Sequence, residues 1–168
     1  IGRDPRALHR ELGLDPGIRL VGLVAHFYQP RETVDKGHQF FLEAAAVLSK
    51  DLPDVRFVVA GGDRFTTGRE QFFRDAARRI GISDKIFFLG NRVDIPVLMD
   101  SLCVHVFPSL KEGFGMVLLE AMARGVPNVA SDLAAIREII TDHRTGLLVP
   151  PGRADALAAA IRGLLCDP

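Results

Sequence analysis

What most constrains this chain is an alternation: short runs rich in β-branched residues, separated by longer stretches whose apolar residues recur at helical spacing. Parallel strands need a crossover connection, usually a helix, so this order specifies a parallel α/β sheet. The first strand reads Arg19–Val24, followed by an irregular stretch from Ala25 to Asp35. A helix over Lys36–Lys50 then sets Phe40, Phe41, Ala44, Ala45 and Leu48 on one side. Val55–Ala60 is the second strand, and a charged helix over Arg69–Ile80 stops at Gly81, as a C-terminal glycine should.

Lys85–Gly90 is the third strand, after which Asp94 is placed to cap a short helix with Pro96 in its first turn. Val104–Ser109 is the fourth strand, and "GMVLLEAMA" is a nearly all-apolar helix ending at Gly125. "VPNVAS", "AAIREII" and "GLLVP" read as strand, short helix and short strand, and Arg153–Leu165 as a final helix. The expected fold is therefore α/β: a Rossmann-like, doubly wound parallel sheet of about six strands spanning residues 19–168. Residues 1–18, with "RALHRELGL", predict a lead-in helix arriving from a preceding linker. In such sheets ligands bind beyond the C-terminal strand ends, so the loops after Val24, Ala60, Leu89, Phe107 and Ala130 are the ones to inspect.

Composition narrows the partners. With 168 residues, 48% hydrophobic and 25% charged, the chain suits one globular domain. Lys+Arg and Asp+Glu are both 21, and this balance argues against a general nucleic-acid or membrane-surface binder. Cys103 and Cys166 have neither disulfide-framework nor zinc spacing, and Cys103, inside "LCVHVF", is expected to be a buried core thiol. A reducing, cytosolic compartment fits best. No apolar run approaches a membrane span and no signal peptide opens the chain, which starts at Ile1 and is expected to be a fragment of a longer protein.

Chemistry concentrates in "PSLKEGFGMVLLEAMARGVPNVASD", Pro108–Asp132. Gly113 and Gly115 flank Phe114 between a strand and a helix, where backbone N–H groups and the helix dipole can hold an anion. A plain tight turn explains two glycines equally well. Glu120 weighs against that reading. It is the one charge in an apolar helix, so it is expected to be buried, and a buried carboxylate needs a partner such as the paired hydroxyls of a ribose; the plainer alternative is a glutamate at a solvent-facing edge or bonded to a nearby loop N–H. Glu112, eight positions earlier, stands at the mouth of the same loop and could meet sugar hydroxyls; alone it would read as a capping or solvated residue.

The Glu-x7-Glu arrangement of Glu112 and Glu120 resembles the donor-site motif of the retaining GT-B glycosyltransferases of the glycosyl transferases group 1 family. "EAMARGVPNVASD" and "REIITDHRTGLLVPPGRADALAAAI" are similar to that family's usual continuation and tail, and "FFLG" and "KGH" match as well. The resemblance covers about residues 5–167 and implies a C-terminal donor-binding domain for a nucleoside diphosphate sugar. It implies that Glu112, the catalytic candidate, contacts the transferred sugar. The diphosphate would be held by backbone amides of Phe114, Gly115, Met116 and Val117 behind Gly113. Glu120 would bind the ribose, Lys36 the phosphates as a mobile point charge, and Asn91, Arg92 and Val93 the base, mostly through backbone. The family commonly has Gly-Arg after the first strand where this chain reads Ala25-His26, so either His26 takes a weaker share, or Arg31 in the longer loop substitutes, or the phosphate clamp is looser; read alone, His26 is also a strand-end residue with no ligand role.

The resemblance also implies that acceptor site and general base belong to an N-terminal domain, so the fragment alone is expected to be inactive. No cofactor and no metal are expected: no Asp-x-Asp occurs, and Lys36 with a helix N-terminus would neutralise the leaving diphosphate. Cytoplasmic placement follows, with room for peripheral contact at the inner membrane face in the full-length protein. Two alternatives remain open: a sugar-nucleotide epimerase half, and a non-catalytic nucleotide-binding module.

Overall fold

The computed structural model describes residues 3–28, 35–63 and 68–166; Arg31, one of the two phosphate candidates in the first loop, lies outside them. The elements run α1 (Ala7–Leu12), β1 (Arg19–Val24), α2 (His38–Asp51), β2 (Val55–Ala60), α3 (Arg69–Arg79), β3 (Ile86–Phe88) and α4 (Ile95–Asp100). They continue with β4 (Val104–Phe107), α5 (Met116–Ala123), β5 (Asn128–Ser131), α6 (Ala134–Arg137), β6 (Leu147–Val149) and α7 (Ala154–Cys166). All six strands are parallel, in the order β3-β2-β1-β4-β5-β6. The winding direction reverses between β1 and β4, and at such a switch point the loops diverge and leave a crevice.

Strand composition follows from this layering. β1, β2, β4 and β5 are covered on both faces, so their residues are buried nearly throughout rather than alternating, and the polar ones among them, His105, Asn128 and Ser131, are buried too. Val21, Leu23, Phe57 and Val106 pack beneath α2, α3 and α7, against Phe41, Leu48, Phe73 and Ile161. On the other face Leu20 and Val58 meet Leu8, Leu98, Met99 and Ala121 from α1, α4 and α5. Phe107 and Ala130 meet Leu118 and Ile136 under α5 and α6. Three fully buried phenylalanines, Phe27, Phe41 and Phe57, supply much of the apolar area removed from water.

The lead-in helix is part of this packing. Leu8 is buried, and its N–H donates to Oγ of Ser101 just beyond α4. Nearby, Asp100 carries a side chain only 2% exposed and pairs with Arg124 at 2.8 Å, tying α4 to the end of α5.

Three expectations need correction. Cys103 is exposed rather than buried: it precedes β4 at the N-terminal rim of the sheet, where only its N–H is engaged, donating to the carbonyl of Leu20. Asp94 makes no side-chain cap on α4, because its carboxylate is taken by Arg92. The third strand is shorter than Lys85–Gly90. As an edge strand it pairs only with β2, and its ladder frays into single bonds from Phe57 N–H to Lys85 and from Leu89 N–H to Val59.

Candidate donor-binding site

Above the switch point, the loops after β1, β2 and β3 are zipped together by backbone. Ala25 N–H donates to Ala60, Gly61 N–H to Gly90 and Phe27 N–H to Gly62. Asn91 closes this wall by accepting the N–H of Gly62 on its side-chain oxygen at 2.9 Å. Facing it across the crevice is α5, entered through Gly115, which has φ +92°. A Cβ on Gly115 would stand 3.1 Å from both Ile136 and Leu118, so backbone angle and space both select glycine there. Gly113 is different. Its Cβ direction is open, and it lines neither cavity described below.

Lys36, expected at the phosphates, and Glu112, expected at the transferred sugar, meet in the structure. Lys36 Nζ lies 2.6 Å from Glu112 Oε2, with side chains only 15% and 14% exposed, and 5.9 Å above the Phe107 ring. The contact depends on Gly37, which the sequence reading placed in a motif but gave no task. Gly37 caps α2 with φ +73°, and a Cβ on it would fall 1.9 Å from the carbonyl oxygen of Pro108. The loop carrying Lys36 thus rests directly on the backbone leaving β4, and Leu110 N–H donates to Asp35 beside it.

Two adjoining cavities occupy the crevice. One, of about 320 Å³, includes Lys36, Glu112, Phe114, Gly115 and Tyr28 in its walls. The other, of about 470 Å³, includes Asn91, Arg92, Ile95 and Glu120. Val24, Ala25, His26, Met116 and Val117 form the boundary they share. Both volumes suit a small-molecule ligand. No side chain caps α5, so the backbone N–H groups that open it remain available at this boundary.

The predicted residues therefore gather, with exceptions. Glu120 lines the larger cavity but is exposed, not buried, because only Leu118 and Ala121 of α5 turn fully into the core. Glu120→Gln is accordingly expected to leave stability unchanged, which equilibrium urea denaturation measures. Arg92 lines the cavity, yet its guanidinium is forked onto Glu11 of α1 and Asp94, and these hydrogen bonds raise its pKa still further. Val93 is fully exposed and lines neither cavity. Tyr28, Ile95 and Phe107, which line the crevice, carried no chemical signature in the sequence. Among the described residues no three His, Cys, Asp or Glu side chains gather to hold a metal ion.

A family model described as glycosyl transferases group 1 matches residues 19–167. The chain belongs to this family. It is 33% identical, over 98% of its length, to the lipopolysaccharide core biosynthesis mannosyltransferase LpsB of Rhizobium meliloti, of which it covers 46%. It is likewise 33% identical to an alpha-D-kanosaminyltransferase of Streptomyces kanamyceticus, over 96% of this chain and 40% of the relative. The chain thus spans less than half the length of these relatives. Among solved structures, the C-terminal domain of a Francisella tularensis group 1 glycosyl transferase, LpcC, superposes with a TM-score of 0.83 at 29% identity. That match covers 99% of this chain and 84% of that domain. Anabaena HepE, solved with UDP and glucose, gives 0.85 at 28% identity, over 97% of this chain and 42% of HepE. This group 1 glycosyl transferase domain is accordingly of the C-terminal, GT-B type, and the epimerase and non-catalytic alternatives are not favoured. Among its described residues no helix is long and apolar enough to cross a membrane.

Proposed function

We propose that this domain binds the nucleoside diphosphate sugar for a retaining, metal-independent hexosyl transfer, with the acceptor and the general base supplied by an N-terminal domain. The observation that carries the reading is the pair of cavities joined along α5, with Glu112 at one end and Glu120 at the other. A nucleotide sugar has matching parts in matching order. The ribose and base suit the larger cavity, the diphosphate suits the boundary where α5 begins, and the sugar suits the cavity of Glu112. Lys36 and the α5 amides offset the diphosphate's charge in place of a divalent cation, and no cofactor is required. Retention rests on the Glu-x7-Glu resemblance. A cytoplasmic location with peripheral membrane contact of the whole protein fits the same reading.

The test is a two-by-two titration. Glu112→Ala is expected to weaken the cognate nucleotide sugar by about 1–3 kcal/mol while sparing the bare nucleoside diphosphate, as loss of charged hydrogen bonds to sugar hydroxyls would. Glu120→Ala is expected to weaken both ligands alike. Calorimetry with UDP- and GDP-linked sugars, with and without a chelator, decides the matter. Equal losses for Glu112→Ala with both ligands would mean that Glu112 only shapes the loop. Absence of saturable binding throughout would sink the reading, and the anomeric configuration of the full-length protein's product tests retention.

A further inference from the structure

The charges lining the crevice balance internally before any ligand enters. Of the cations among the described lining residues, Lys36 is held by Glu112 and Arg92 by Glu11 with Asp94. Glu120 adds a further negative charge at the nucleotide end. A diphosphate diester carries two negative charges; among the described residues Lys36, whose charge is shared with Glu112, and the α5 amides, with partial charges of roughly half a unit, meet them only in part. Among the described residues, His26 is the further group placed to supply positive charge. It lies in the boundary shared by both cavities, and its Nδ1 is buried with no hydrogen-bond partner among the described residues.

We infer that His26 is a proton-binding site coupled to the donor: the diphosphate binds together with one proton, carried on His26 as imidazolium. The inference rests on the donor-site reading above. The stoichiometry is simple. One imidazole nitrogen takes a proton from solvent, both nitrogens become N–H donors, and no covalent bond is made or broken elsewhere. Histidine is the side-chain type that can take up a proton near neutrality, and the negative field of the diphosphate favours its charged form. The other titratable groups facing this place are Tyr28, Lys36, Glu112, Glu120 and Arg92. Lys36 and Glu112 are paired with each other, and Arg92 is held as a cation by Glu11 and Asp94. His38, on α2 against the carbonyl of Ala25, is held neutral by burial, with its pKa lowered to about 3.

The experiment uses the 168-residue chain with UDP-glucose and GDP-mannose rather than free nucleotides. Both phosphates of a nucleotide sugar are diesters and stay fully ionised across neutral pH, whereas a free terminal phosphate itself titrates there. Calorimetry at pH 7.5 in buffers of different ionisation enthalpy counts the protons exchanged. The expected result is net uptake approaching one proton, with affinity falling by up to about tenfold per pH unit above neutrality. His26→Asn should bind more weakly at pH 6.5 and lose both the uptake and the slope. His26→Arg should keep the affinity and lose the pH dependence, a rescue that a merely structural histidine would not show. Binding without proton uptake, or an unchanged slope in His26→Asn, overturns the inference and leaves the donor site standing. No binding of either probe at any pH overturns both.

Discussion

Gly37→Ala is expected to cost the domain about 2–6 kcal/mol and to part Lys36 from Glu112. About 1–3 kcal/mol comes from holding a residue with a Cβ in left-handed backbone. A similar amount comes from overpacking. The obstacle is the carbonyl oxygen of Pro108, 1.9 Å from the new Cβ, and a peptide carbonyl between a strand and a functional loop cannot rotate aside as a flexible side chain can. Equilibrium denaturation gives the stability change and titration with a nucleotide sugar gives the site's response. Gly37→Asn separates the two causes, because asparagine tolerates left-handed backbone but carries the same Cβ. If the asparagine variant were as stable as the parent, the close approach to Pro108 would not be what demands glycine.

Acid is expected to destabilise this protein well above the range in which its carboxylates titrate. His38 and His105 are both buried, and burial is the leading cause that lowers them from an ordinary value near 6.5 to about 3 and about 4. His38 stacks on Phe27 at 4.2 Å, with the charges of Arg69 and Lys36 also disfavouring its cation. His105 donates from Nδ1 to Oδ1 of Asn128 at 2.7 Å, and its Nε2 is buried with no acceptor to receive a proton. Since the folded values lie below the unfolded ones, the unfolded chain takes up protons first. Stability is therefore fully present above about pH 6.5 and falls as pH drops toward 4. The slope approaches about 1.4 kcal/mol per pH unit for each histidine, or about 2.7 for both. Urea denaturation at intervals from pH 7.5 to 4.5 measures it. His105→Phe should remove one proton's share of the slope, and an unchanged slope in that variant would show that His105 is not neutral in the folded state.

The parts of the fold legible in sequence were those whose burial is two-sided. β1 and β2 match their predicted limits because all their residues but Arg19, Val24 and Arg56 are fully buried, so the apolar run and the strand coincide. β3, at an edge, has no second neighbour to prolong it. Within the site, Lys36 and Glu112 were legible as charges at loop mouths, but their mutual contact was not, since it depends on two chain segments meeting over Gly37. Glu120 is not legible as exposed, because an apolar helix suggests burial on every face, yet Met116 and Leu119 on the same helix are 61% and 38% exposed in this chain. Cys103 fails similarly: an apolar run continued one residue past the rim of the sheet.

The strand order also dictates when the crevice comes into being. β1, β2 and β3 each pair with a neighbour in sequence, as do β4, β5 and β6. Only the β1–β4 pair joins the two triplets, and it closes a loop running from Val21 to Val104. Contacts this remote form slowly, because the entropy of closure must be overcome before they contribute anything. The seam is thus expected to form after the pairings within each triplet, and its opening most directly undoes recognition. His26 and Lys36 belong to the first triplet's side, Glu112 and Glu120 to the second's. A molecule spanning the two sides would act as a staple across that joint, slowing its opening and raising the protection of β1 and β4 amides from exchange more than that of β3 or β6.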